Sequence, residues 1–125
     1  VYQGDIVMAV TDMTQDRAIV GRVARIPFLD NDFGVISLDT VKIVPKKYSN
    51  NFIYCYLMYS GFADTIKEFA NGANVLHLNP TQILKQDALM PPLPLTEAFD
   101  EIVLPIFEQI EKLTLYIENL EIIDS

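Results

Sequence analysis

Seven polar side chains in the first two thirds of the chain are of types that bind nucleic acid. Arg17, Arg22, Lys46 and Lys47 are cations suited to phosphate, while Asn71, Asn74 and His77 gather around Gly72. An asparagine amide can bond an adenine edge bidentately in the major groove. Each has a plainer account beside it: Asn71-Gly72 is a common helix end followed by a polar loop, and Lys46-Lys47 a common solvated strand end. Other chemistry lacks its parts. His77 is the single histidine and Cys55 the single cysteine, so a zinc site is not expected. Cys55 lies among Ile53, Tyr54, Tyr56 and Leu57, the surroundings of a buried inert thiol rather than a nucleophile. No Walker loop, nucleophile elbow or dinucleotide fingerprint occurs. The six aspartates of the first half read as turn and loop residues before they read as an acid–base pair. A methyltransferase needs a cofactor-binding α/β domain, which has no counterpart here. The sequence therefore predicts a chain without catalytic residues, cofactor or metal.

A net charge of −8 argues against nucleic acid until it is divided along the chain. Residues 1–50 carry six basic side chains and six aspartates, and residues 51–90 have a net charge of −1. Residues 91–125 hold Lys112 against eight acidic side chains, a net of −7. A phosphate backbone repels that last segment and tolerates the rest, so a DNA surface belongs in the first two thirds.

The elements that must position these residues are short strands, then short helices, then one long helix. Asp5–Val10, Ile19–Ile26, Val35–Leu38 and Thr40–Val44 are predicted strands, the second closed by Pro27 and the last by Pro45. Between the first two lies the polar stretch Thr11–Arg17, too long for a tight hairpin and a common place for function on a sheet. Ser49-Asn50-Asn51 offers N-caps for a helix over Phe52–Tyr59; Gly61 separates it from a second, Phe62–Ala70. Tyr54, Tyr56 and Tyr59 on the first of these are read as packing residues with hydroxyls at the surface. Val75–Leu78 is a short strand, Asn79 caps a short helix with Pro80 at its first position, and Ala88–Met90 is a last short strand. Pro91-Pro92-Leu93-Pro94 is expected to lie outside any regular element.

From Thr96, the expected cap, the pattern changes. Phe99, Val103, Ile106, Ile110, Leu113, Ile117 and Leu120 follow the 4-3-4-3-4-3 spacing of a coiled-coil seam. Pro105 falls inside and is expected to kink the helix or mark a joint. Ile102, Phe107, Leu115, Tyr116, Ile122 and Ile123 widen the apolar stripe, so the helix calls for a partner beyond its own small domain. The fold class is α+β: a small mixed β-sheet domain over residues 1–94, then a coiled-coil-type helix over 95–125. No run reaches the roughly 18–20 apolar residues of a membrane span. Val1–Asp5 has no signal-peptide pattern, and the lone cysteine fits a reducing, cytoplasmic setting.

The order of these pieces resembles the target-recognition domains of type I restriction–modification specificity subunits. Gly4-Asp5-Ile6-Val7-Met8 resembles their Gly-Asp-Ile/Leu strand start, and Ile19-Val20-Gly21-Arg22 the next strand with its Ile-Gly-Arg element. Phe52–Leu57 is similar to their aromatic helix. Asn71-Gly72-Ala73-Asn74 through Leu78, then Ile83-Leu84, is similar to their glycine loop and the short helix after it. Pro91–Pro94 is similar to the proline segment that leads into the spacer helix. Thr96-Glu97-Ala98-Phe99 departs from the Glu-Gln that commonly follows, and Glu108-Gln109 comes only later. The resemblance implies a non-catalytic reader of one half of a bipartite double-stranded DNA site, N-terminally incomplete. Separate methylase and nuclease (restriction) subunits would be its partners. The long helix would pair with a second recognition half, or with another copy of this chain as a homodimer. Two other readings stand beside it: a recognition domain of a single-chain restriction–methylation enzyme, and a coiled-coil protein-interaction module.

Overall fold

The computed structural model describes residues 1–12, 19–72, 76–86 and 90–124. The architecture is α+β, as expected, with the strands first and the long helix last. Strands β1 (Ile6–Ala9), β3 (Val23–Arg25) and β4 (Thr40–Ile43) form a three-stranded sheet in the order β3-β1-β4. Strands β2 (Thr11–Asp12) and β5 (Leu76–His77) form a separate two-stranded ribbon. Where a mixed sheet was expected, every described pairing is antiparallel.

One face of the sheet is apolar because β1 alternates. Ile6 and Met8 are fully buried, and they sit with Val23 of β3 and Leu57 of helix α1 (Asn50–Tyr59). On the opposite face, Ala24 and Lys42 lie beside Val7 in the register and are exposed. Val10 carries the chain past the sheet into a second cluster with Val20, Ile66 and Leu78. Val41, Phe62 and Ile83 pack against both clusters and join them into one core. Phe62 and Ile66 belong to helix α2 (Phe62–Ile66), and Ile83 to helix α3 (Pro80–Leu84).

The caps are those the side chains allow. Ser49 caps α1, its Oγ accepting from the Phe52 N–H at 3.1 Å, so the helix starts two residues before its predicted start. Asn79 caps α3 through its side-chain bond to the Thr81 N–H at 3.0 Å, with Pro80 in the first turn. The expected helix Phe62–Ala70 is shorter: α2 passes into a 3-10 turn over Lys67–Phe69, and Ala70 is extended.

Two expected strands are corrected. Ile19–Ile26 contracts to Val23–Arg25 because Gly21 lies in a left-handed turn, φ +84°, with the Arg22 N–H bonded to the Ile19 carbonyl at 3.0 Å. Val35–Leu38 joins no ladder. Ser37 begins a turn instead, its carbonyl accepting from the Thr40 N–H at 3.3 Å, and Val35 and Leu38 stay 88% and 100% exposed. Alternation yields a strand only where one face is covered and an edge is open to pair. Of the expected strand Ala88–Met90, Ala88 and Leu89 lie outside the described residues.

Helix α4 runs over Leu93–Asp124, 32 residues or about 48 Å. It absorbs Leu93 and Pro94, which were expected outside any element: the first turn needs no N–H, so a proline costs nothing there. Thr96 is therefore not the cap. It is 2% exposed, inside the helix, and its Oγ1 donates to the Leu93 carbonyl at 2.8 Å. The helix also continues through Pro105 as one element rather than two.

Contacts from α1 and β3 dock this helix. Phe52 stands edge-on to Phe99 with ring centroids 5.8 Å apart, and Tyr54 edge-on to Phe107 at 5.8 Å. The Ser49 hydroxyl that caps α1 also donates to Asp100 Oδ1 at 2.7 Å. Arg25 of β3 lies over the Phe107 ring at 4.4 Å and donates to Glu111 Oε1 at 2.9 Å. Gln3 donates to the other Glu111 oxygen at 3.1 Å.

Gly21 is the tightest point of this assembly. A Cβ there would stand 2.5 Å from Ile66 Cγ2 and 3.2 Å from the Ala63 Cα, on a backbone that L-residues avoid. Left-handed strain of about 1–2 kcal/mol adds to overpacking of about 1–3 kcal/mol. Gly21→Ala is expected to lower unfolding stability by about 2–5 kcal/mol on those two grounds. Denaturant unfolding checks this, and a loss under about 0.5 kcal/mol would show that α2 shifts without cost.

Candidate nucleic-acid interface

The C-terminal end of β1 is where the chain gathers polar groups. There β1 passes through Val10 into β2, and the register pairs Thr11 with His77 and Asp12 with Leu76. Asn71 joins on the far side of β5 by a bridge in which it and His77 exchange both backbone bonds, at 2.9 and 2.8 Å. The Leu78 N–H bonds the Val10 carbonyl at 2.7 Å, tying the ribbon to the sheet. On the other side of β1, the Ala9 N–H bonds the Arg22 carbonyl at 3.0 Å.

Arg22 thus comes to one end of the domain with Asn71 and His77, from two separate stretches of sequence, and all three are exposed. Arg17 and Asn74, also expected at the interface, lie outside the described residues. Lys46 and Lys47 are exposed but belong to the opposite end. They follow β4, whose Ile43 pairs with Ile6, while Thr40 pairs with Ala9 at the ribbon end. The sheet stands between the two lysines and the Arg22–Asn71–His77 group. Lys47 lies 5.8 Å from the Tyr48 ring, and the Tyr48 hydroxyl donates to the Pro91 carbonyl just before α4.

Sequence reasoning missed Asp12. Taken as a loop residue, it ends a strand and is 2% exposed, and its Oδ2 accepts from the N–H groups of Ile19 at 2.6 Å and Val20 at 2.9 Å. Nothing in the run Thr11–Arg17 distinguishes this aspartate from Asp16, since the partner N–H groups lie seven and eight residues further along the chain. Its role is visible only in three dimensions.

The long helix divides the expected seam. Phe99 and Val103 are half-buried beside α1, with Phe52, Cys55, Tyr56 and Tyr59 lining the same apolar groove. Ile106, Ile110, Leu113, Ile117 and Leu120 keep the heptad spacing but remain 49–60% exposed. The domain instead holds Thr96, Asp100, Phe107, Glu111, Thr114 and Leu115, a neighbouring face of the same helix. At about 100° per residue, Glu97, Glu101 and Glu108 lie about 140–180° from the exposed seam. These three acids and the open apolar strip therefore occupy opposite sides of α4, while Glu121 lies about 60° from the strip near its C-terminal end.

Among the described residues no group of three or more His, Cys, Asp or Glu side chains could hold a metal ion. No helix among them is long and apolar enough to cross a membrane. No family model matches the chain, and neither the curated proteins nor the solved structures contain a match to it.

Cys55 is held as a thiol. Burial pushes its pKa up, and Arg25 nearby draws it partly back down while Asp100 raises it. Its reaction with a disulfide reagent at neutral pH is expected to be slower than that of a cysteine in a short peptide, and to quicken as pH rises through and beyond the ordinary thiol range. A rate at neutral pH equal to or above the peptide's would show an activated cysteine.

Proposed function

We propose that the chain is a DNA target-recognition fragment of a type I restriction–modification specificity subunit, non-catalytic, directing separate methylase and nuclease subunits. One observation carries the reading: exposed Arg22, Asn71 and His77 share one end of a small sheet domain from which a long acidic helix departs. Phosphate binding needs exposed cations on a surface that is not strongly negative, and base reading needs amide or imidazole groups projecting beside them. The near-neutral first two thirds of the chain supply that surface, and the acid lies in α4. The five-part resemblance in sequence order supports the specific system.

Salt-titrated binding to double-stranded DNA by the intact complex tests the site. Replacing Lys46 or Lys47 with Ala is expected to weaken binding to all sequences and reduce the salt slope by about one. Asn71→Ala or His77→Ala is expected to cost about 1–3 kcal/mol and to relax choice at one base position. Binding unaltered in affinity, slope and sequence choice by all four substitutions would remove these residues from the interface.

The second reading, a helical interaction module, is favoured by the exposed heptad strip, and it joins the first at α4. Glu97, Glu101 and Glu108 face away from the strip, so along most of its length two copies can meet without setting like charges against each other, with Glu121 at its flank. In the whole subunit the matching helix of a second recognition half would cover it; for this chain a second copy in antiparallel arrangement does so. Full burial of a Leu or Ile contributes roughly 1.5–3 kcal/mol, so the remaining half of each strip residue is worth about 1 kcal/mol. Ile110→Glu with Ile117→Glu is expected to convert a dimer to a monomer in sedimentation at micromolar concentration. A monomeric unmodified chain, or a dimer indifferent to both substitutions, would rule out pairing through this strip.

A further inference from the structure

The buried carboxylate of Asp12 sits between the two parts of the candidate interface. Its backbone is in β2, held to β5 and through β5 to Asn71. Its side chain holds the Ile19 and Val20 N–H groups, the start of the turn that presents Arg22. The Arg22 N–H closes that turn onto the Ile19 carbonyl at 3.0 Å. Among the described residues no ladder joins the Ile19–Gly21 stretch to the β2–β5 ribbon; the Gly21 N–H bonds the Ala9 carbonyl of β1 at 2.8 Å, and the Asp12 carboxylate is a direct polar tie from that stretch to the ribbon itself. A carboxylate taking two backbone N–H groups is a charge-assisted and directional link, and at 2% exposure water does not compete for it.

From this we infer that Asp12 is a positioning residue: it fixes the Arg22 turn against the Asn71–His77 ribbon, and so sets the register of a phosphate contact relative to the base-reading groups. The inference rests on the DNA-recognition reading above. A cation alone binds any duplex, whereas choosing a sequence needs the base-reading side chains held at a constant offset from the backbone contact. Asp12 itself is enclosed, so its charge neither touches nor faces the nucleic acid. Its loss is expected to reduce sequence choice far more than overall affinity.

Selection from a randomised duplex library by the intact complex, with affinity measured across a salt series, separates these effects for the unmodified protein, Asp12→Asn, Arg22→Ala and the double variant. Asn keeps one oxygen acceptor in place but loses the charge. The expected result is a folded Asp12→Asn protein whose enrichment for the preferred sequence falls about tenfold, with the salt slope unchanged. In the double variant the loss is expected to be less than the product of the two single losses, because Asp12 acts through the Arg22 turn. A merely structural aspartate gives additive losses, or lowers the unfolding midpoint without altering sequence choice, and either result overturns the assignment. So does an Asp12→Asn protein that folds with full enrichment. If the intact complex carrying the unmodified chain enriches no sequence, the DNA-recognition reading itself fails and this inference goes with it.

Discussion

Arg25 is where the sheet, α1 and α4 meet, and the docking of the long helix turns on how its charge is accommodated. The guanidinium stands over the Phe107 ring at 4.4 Å and bonds Glu111 at 2.9 Å, with both side chains of the pair about four-fifths enclosed. Its Nε is buried without a hydrogen-bond partner among the described residues. An unmade bond to a buried donor costs about 1–3 kcal/mol. The ring face and the carboxylate offset that cost together, and only with α4 seated at one rotation do both reach the arginine. Tyr54 then meets the same Phe107 ring from α1, and Gln3 holds the second Glu111 oxygen. A helix that is apolar around much of its circumference could have packed on several faces. The arginine selects the one bearing Phe107 and Glu111, and the heptad strip is left outside.

This selection explains why α4 presents two different faces from one sequence. Ser49 and Asp100 reinforce it two to three turns nearer the helix start, since the hydroxyl that caps α1 donates to the carboxylate on α4. Phe99 and Val103 are drawn into the groove beside α1, whereas Ile106, Ile110, Leu113, Ile117 and Leu120 stay about half exposed. The seam spacing alone treats all seven residues as equivalent. The difference between them comes from where the sheet ends, not from the helix.

Much of the fold was legible in local chemistry. Short apolar stretches bounded by turn signals located β1 and β4, Ser49 and Asn79 marked helix starts, and the 3.5-residue repeat marked α4. The errors share a cause, which is that tertiary contacts overrode a local pattern. Val35–Leu38 is apolar enough for a strand, but nothing covers it, so it stays unpaired. Ile19–Ile26 alternates, yet Gly21 must lie flat on Ile66 and Ala63, and the strand is delayed to Val23. Thr96 resembles a cap, but Leu93 and Pro94 fit the first turn ahead of it. Of the candidate site, Arg22, Asn71 and His77 were legible as residue types and are brought to one end. That Lys46 and Lys47 lie at the other end follows from antiparallel register, which a single sequence does not display.

The two ends of the domain then differ in what they can sense. At the ribbon end, polar groups are held by backbone bonds between β2, β5 and Asn71 and by the enclosed carboxylate of Asp12, a rigid setting suited to discrimination. At the lysine end, Tyr48 bonds the Pro91 carbonyl at the approach to α4, so Lys46 and Lys47 stand beside the root of the helix. A duplex long enough to touch both ends would lie across the domain, and the acids of α4 would oppose any path that followed the helix itself. On the proposed reading, charge would confine a nucleic acid to the sheet domain, and the apolar strip on α4 would offer a protein partner a surface clear of Glu97, Glu101 and Glu108. Separating the two surfaces on one short chain requires the helix to project at a fixed rotation, which is what Arg25, Phe107 and Glu111 impose.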